Sequence, residues 1–114
     1  MGDVNACIVM TSVSDQEQAE KIARAVLEAR LAACVQIQGI TSHYWWNGKI
    51  NKDAEQLVCF KTSTDKYEAL EKAIVANHSC ETPEILQVPV TAGFEKYLGW
   101  IRKETSQGSS RHDR

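Results

Sequence analysis

The chain has 114 residues, 43% of them hydrophobic, and its 13 basic and 15 acidic side chains give a formal charge of −2. That length makes one domain with material for a single core. The near-balanced charge supplies no basic field for nucleic acid or an anionic membrane surface, so neither partner is expected. No apolar run approaches the length of about 18 residues needed for a span. Met1-Gly2-Asp3-Val4 lacks the charged and then apolar start of a signal peptide, so cytoplasmic residence is the expectation.

Val4–Thr11 contains the unbroken run Ala6-Cys7-Ile8-Val9-Met10, which predicts a central strand covered on both faces. Ser14 and Glu17 have the spacing of a capping box, so a helix is expected from Asp15. Its buried stripe is Ala19, Ile22, Ala23, Val26, Leu27 and Leu31, with Glu20, Lys21, Arg24 and Glu28 on the wet side. A second strand opens near Ala32. Its apolar phase, Val35 and Ile37 against Cys34, Gln36 and Gln38, shifts at Gly39-Ile40, which predicts a bulge or bend there. Asn47-Gly48 then signals a tight hairpin, because both positions of a type I′ turn need positive φ. The arms, Ala33–Trp46 and Lys49–Thr62, would each reach about 45 Å, beyond the width of about 30 Å of a small domain. The tip must therefore project, and Tyr44, Trp45 and Trp46 make it an aggregation hazard unless a partner covers it, so self-association through the arm is expected.

Ser63 or Thr64 can cap a second helix with Tyr67, Leu70, Ala73 and Ile74 inward and Glu68, Glu71 and Lys72 outward, ending near Asn77 or His78. Pro83-Glu84 leads into a strand over Ile85–Val90, and Pro89, which cannot donate to a ladder, marks it as an edge. Phe94, Tyr97, Leu98 and Ile101 predict a short closing helix, with Thr105–Arg114 a frayed tail after a domain of residues 1–104. The order βαββαβ plus a helix predicts an α+β, ferredoxin-like fold with an antiparallel sheet in the order 4-1-3-2.

The densest set of potential ligands is His78-Ser79-Cys80-Glu81-Thr82-Pro83-Glu84. Imidazole and thiolate suit copper or zinc, yet a histidine at a helix C-terminus also interacts well with the dipole without any metal. Cys7, Cys34, Cys59 and Cys80 form no Cys-x-x-Cys pair and read as small buried hydrophobes. Lys61, ending an apolar strand, either anchors an anion or an acid such as Glu84, or snorkels to water. The aromatic set Tyr44, Trp45, Trp46, Tyr97 and Trp100 suits interface packing or stacking on a planar ligand. No nucleophile elbow, zinc-protease helix or phosphate loop is present, so a non-enzymatic protein is expected.

Taken together, Leu31-Ala32-Ala33-Cys34-Val35, Ser42-x-Tyr44-x-Trp46-x-Gly48-Lys49, Glu55, Lys61-Thr62, Pro83-Glu84-Ile85 five residues after His78, and Tyr97-Leu98-x-Trp100-Ile101 resemble the CutA family of divalent-cation tolerance proteins, over residues 4–103. The resemblance implies a homotrimer in which long hairpins pack on neighbours, similar in shape to PII signalling trimers. It further implies binding of copper or a related divalent ion, with His78 at the implicated position. Cys80 stands where the family usually has tyrosine, and Met10 where some relatives have a ligating cysteine; thiolate and thioether are soft ligands that favour Cu(I). The alternative implied is a PII-like signalling or scaffold trimer, with a small anion or protein partner in an intersubunit cleft of Lys61, Glu84, Trp46, Tyr97 and Trp100.

Overall fold

Asn47 and Gly48 adopt φ of 53° and 75°, the left-handed pair that a type I′ turn requires. The register follows from that turn: Trp46 lies opposite Lys49, and pairing continues without a break to Cys34 opposite Lys61. The computed structural model describes residues 4–110. Its elements are β1 (Ala6–Val13), α1 (Gln16–Glu28), β2 (Cys34–Trp46), β3 (Lys49–Ser63), a 3-10 turn (Thr64–Lys66) running into α2 (Tyr67–Asn77), β4 (Ile85–Pro89) and α3 (Glu95–Ser110). The sheet is antiparallel in the order β2-β3-β1-β4, the expected ferredoxin-like arrangement with β1 and β3 central. Pro89 lies on the β4 edge, opposite Cys7, where its missing N–H costs no ladder bond.

Strand alternation sends Cys7, Val9, Thr11, Val13, Val58 and Phe60 to one face, where they pack with Ala19, Ile22, Val26, Leu70 and Ile74 of the helices. The opposite face carries Ile8, Met10, Leu57, Cys59 and Lys61, each only half-buried, with Leu86 and Val88 exposed beside them. One face of the sheet is thus a core and the other is open. The molecule measures 50 × 34 × 21 Å, its long axis exceeding the width of a small domain as the length of the hairpin requires.

Four expectations are corrected. The cap of α1 is Asp15, whose carboxylate accepts from Gln18 N at 2.9 Å, not Ser14. Both residues suit the position, but Asp15 has the extended backbone a cap needs, at φ −147° and ψ 168°. No bulge forms at Gly39, which pairs with Gln56 in unbroken register. The apolar phase shifts there because Val35 and Ile37 face the core while Ile40 lies on the opposite face, across from Glu55. At the start of α2 no side chain caps the helix; Ser63 is engaged instead with Thr105, its hydroxyl 2.7 Å from Thr105 Oγ1. That pair also extends α3 beyond residue 104, where a frayed tail was expected: Thr105 is buried and the helix runs to Ser110. Residues 111–114 of that tail lie outside the described residues.

Thr11 Oγ1 is fully buried without a hydrogen-bond partner, an uncompensated polar group in the core. Replacing it with a methyl group removes the desolvation cost, so Thr11→Val should raise the unfolding free energy by about 1 kcal/mol. Chemical denaturation at fixed protein concentration reads this, and a lower midpoint would show that the hydroxyl has a partner.

Candidate functional site

α2 ends at Asn77, and His78 is its C-cap with extended backbone, which turns the imidazole back toward the end of β1. There Nε2 lies 2.8 Å from the Ser12 carbonyl oxygen, while Nδ1 is 3.0 Å from the Cys80 backbone nitrogen. A carbonyl only accepts and an N–H only donates, so both bonds fit one tautomer, with the proton on Nε2. Glu84 reaches the same residue, its Oε1 accepting from the Ser12 hydroxyl at 3.4 Å. Ser12 therefore gathers His78 by its carbonyl and Glu84 by its hydroxyl. The sequence reading ended the first strand at Thr11 and missed it. Alternation past Thr11, with Ser12 turned outward, was the signal.

Met10 is not brought to His78 within one chain. Met10 lies on the open face between Cys59 and Leu86, whereas His78 arrives from the helical side. Cys80, expected to be a buried hydrophobe, is instead exposed in the loop after α2, where its backbone N–H meets His78. Among the described residues no three His, Cys, Asp or Glu side chains are grouped as a metal site. The donors present fit an open site at most. Nε2 is anchored as in histidines that ligate through the other nitrogen, but Nδ1 must first release the Cys80 N–H.

Of the cleft residues, three converge. Lys61 Nζ lies 5.8 Å from the centre of the Tyr97 ring, and Tyr97 stacks with Trp100 at 5.6 Å and 26°. Glu84 is at the far end of β1: Lys61 pairs with Ile8, four residues from Ser12 and so about 13 Å along the strand. Trp46 lies at the hairpin tip, about 40 Å along β3 from Lys61. The tip itself is bare in the single chain, with Trp45 72% and Trp46 63% exposed and Tyr44 also exposed. On that arm Tyr44 donates to Asp53, and Ser42 donates to Glu55 Oε1 at 2.7 Å, so the polar residues brace the hairpin itself.

Burial raises the Cys7 thiol above its ordinary value, opposed by the Thr64 hydrogen bond, and burial likewise raises Cys59 against the lowering effect of Lys61. Neither is poised as a thiolate nucleophile. Tyr67 is raised by burial and then by Glu71, and Tyr44 chiefly by its hydrogen bond to Asp53.

The fold and these motifs define a ferredoxin-like, hairpin-extended α+β subunit. Residues 7–104 match the family model described as CutA1 divalent ion tolerance protein. The chain belongs to that family. It is 40% identical over 99 residues to the divalent-cation tolerance protein CutA of Thermus thermophilus, covering 86% of this chain and 96% of that protein. It is 37% identical over 105 residues to the chloroplastic CutA 1 of Oryza sativa, covering 91% of this chain but only 59% of that longer protein. Among solved structures, CutA from Synechococcus elongatus superposes with a TM-score of 0.88 at 34% identity, covering 93% of this chain and 95% of that one. The periplasmic divalent cation tolerance protein CutA of Archaeoglobus fulgidus gives 0.85 at 35%, covering 88% and 98%. Among the described residues no helix is long and apolar enough to cross a membrane.

The raised thiols and the Tyr67 phenol contribute to the pH dependence of stability on the alkaline side. Cys7, Cys59 and Tyr67 hold their protons more tightly folded than unfolded, so the unfolded chain releases protons first. Their contribution is then fully present below about pH 9 and is lost as pH rises through the raised values. Denaturant midpoints between pH 7 and 10.5 should show this decline, and Cys7→Ala should make it shallower; a flat profile would contradict the assignment.

Proposed function

We propose that the chain is a non-enzymatic, homotrimeric divalent-cation tolerance protein that binds copper or a related ion as cargo, in a reducing, cytoplasmic setting. The observation that carries the metal reading is the His78 ring, held through Nε2–H on the Ser12 carbonyl so that Nδ1 faces the Cys80 loop. Histidines that ligate metals are oriented in this manner by a second-shell acceptor. The names of the relatives support it: each is called a divalent-cation tolerance protein or CutA. Because one chain offers no three-donor cluster among its described residues, further donors come from the loop, from water and from neighbouring copies. Met10 joins such a site only across a subunit boundary.

The trimer reading rests on the arm and the open face. An aromatic hairpin tip with Tyr44, Trp45 and Trp46 exposed and a sheet face with Leu86 and Val88 exposed are surfaces that a partner copy would cover. Three copies packed through these surfaces would cover both. Sedimentation at micromolar concentration should give the mass of three chains, and a monodisperse monomer would remove this part of the reading.

Copper titration by calorimetry tests the site. His78→Ala should weaken Cu(II) binding by about tenfold or more, the usual scale for disturbing a ligand set. Cys80→Ser should affect Cu(I) more than Cu(II), since only the softer ion prefers sulfur. Unchanged stoichiometry and affinity in His78→Ala would overturn the assignment.

A further inference from the structure

The end of β1 away from Ser12, His78 and Glu84 is used by neither the metal nor the trimer reading. Ala6 and Ser63 are the last pair of β1 and β3, so Asn5, Asp65 and Lys66 continue past the end of the ladder. Between these segments and Arg102 and Thr105 of α3 is a cavity of about 220 Å³, lined entirely by polar and charged residues. It is smaller than the range of about 300–1,000 Å³ usual for drug-sized ligands, which sets aside a nucleotide and leaves a molecule of a few heavy atoms. The exposed residues that a partner copy would cover stop short of it, since Val88 lies opposite Ile8 and Leu86 opposite Met10.

The polar groups of this cavity are of three kinds. Ser63 and Thr105 are buried at 4% and 1% exposure, with their hydroxyl oxygens 2.7 Å apart. Thr105 donates its one proton to the Ile101 carbonyl at 3.0 Å, so Ser63 donates to Thr105 and its own oxygen keeps lone pairs that call for an N–H or O–H donor. Asp65 is exposed and Lys66 half-buried, and among the described residues neither has an ion pair; the salt bridges there are Arg30–Glu104 and Arg102–Glu95. Arg102 is already committed, to Glu95 Oε2 at 2.7 Å and to the Val4 carbonyl at 2.9 Å, so it fixes the wall and leaves Lys66 as the open cation. The Arg102 and Thr105 bonds tie α3 to both strand ends, which sets the arrangement before any ligand arrives. A simple anion would meet the Asp65 carboxylate and the Ser63 lone pairs, and a simple amine would meet the Lys66 ammonium. A molecule with a positive donor at one end and a carboxylate at the other satisfies all three.

We propose that this cavity binds a small free α-amino acid in its zwitterionic form. The ammonium group donates to Ser63 Oγ and faces the Asp65 carboxylate, while the carboxylate of the ligand meets Lys66 Nζ. The volume and the polar lining favour a short side chain over a large apolar one. This site is independent of any metal, and its test is run on metal-free protein so that failure of the copper reading leaves it intact.

The experiment is calorimetric titration of the full chain, treated with a chelator, near pH 7 with five probes: L-alanine, propionate, isopropylamine, L-tryptophan and inorganic phosphate. L-alanine should bind at least about tenfold more tightly than propionate or isopropylamine, each of which carries only one of its two charges. L-tryptophan should bind more weakly than L-alanine, because its indole finds no apolar surface in this lining. Lys66→Gln and Asp65→Asn should each weaken L-alanine binding by about tenfold, the scale of losing one charge-assisted contact. Lys66→Arg should retain binding, which separates loss of the charge from loss of the fold, and His78→Ala should bind L-alanine as the parent does. Absence of any L-alanine heat, or parental affinity in both Lys66→Gln and Asp65→Asn, would overturn the site. Tighter binding of propionate or phosphate than of L-alanine would overturn the amino-acid assignment, since the cavity would then answer to negative charge alone.

Discussion

The structure depends on one unbroken ladder, the antiparallel pairing of all 13 residues of β2 with β3 from Cys34–Lys61 to Trp46–Lys49. A two-stranded ribbon in water is marginal unless something covers it. Only its base is covered: Val35, Ile37, Val58 and Phe60 are in or against the core beneath the helices, and beyond Gly39 the helical layer no longer reaches. From there the arm is held by its own polar side chains. Ser42 reaches Glu55, Tyr44 reaches Asp53 and Asn51 Nδ2 donates to the Trp46 carbonyl, each across the same diagonal of the ladder. The repeated diagonal is what right-handed strand twist brings close.

The same pairing decides which chemistry shares a surface. With a side-chain period of two, residues one position apart go to opposite faces, so Val9 and Thr11 enter the core while Ile8, Met10 and Ser12 turn the other way. Met10 is thereby placed with Cys59 rather than with His78, and Lys61 beside Tyr97 rather than inside the apolar core. β1 then separates two kinds of site. Its Ser12 end holds an imidazole and a carboxylate, and Ile8 near its other end pairs with the lysine of the aromatic cluster.

Local signals made most of the fold legible. Asn47-Gly48 announced the turn and its register, the three-and-four spacing of Ile22, Val26, Leu70 and Ile74 announced the helices, and the element order led to the strand order. The departures occurred where the deciding interaction was distant in sequence. Ser14 and Asp15 are equally good caps on paper, and backbone direction out of β1 chose between them. The apolar residues around Gly39 change face because the helices stop, which no window of β2 can reveal. Thr105 looked like part of a tail because its partner, Ser63, is 42 residues away. The site followed the same rule. His78 was legible as a donor, but its carbonyl partner Ser12 is 66 residues back, and nothing short-range linked Lys61 to Tyr97.

The histidine site is complete in its hydrogen bonds and, among the described residues, incomplete as a metal site. A site built of hydrogen bonds to backbone can be finished within one chain, and the His78 ring is: both nitrogens are engaged, so a metal must displace the Cys80 N–H and find its other donors elsewhere. Reorganisation subtracts from affinity, whereas preorganisation does not. The histidine site therefore favours an ion whose own coordination energy is large enough to open the loop.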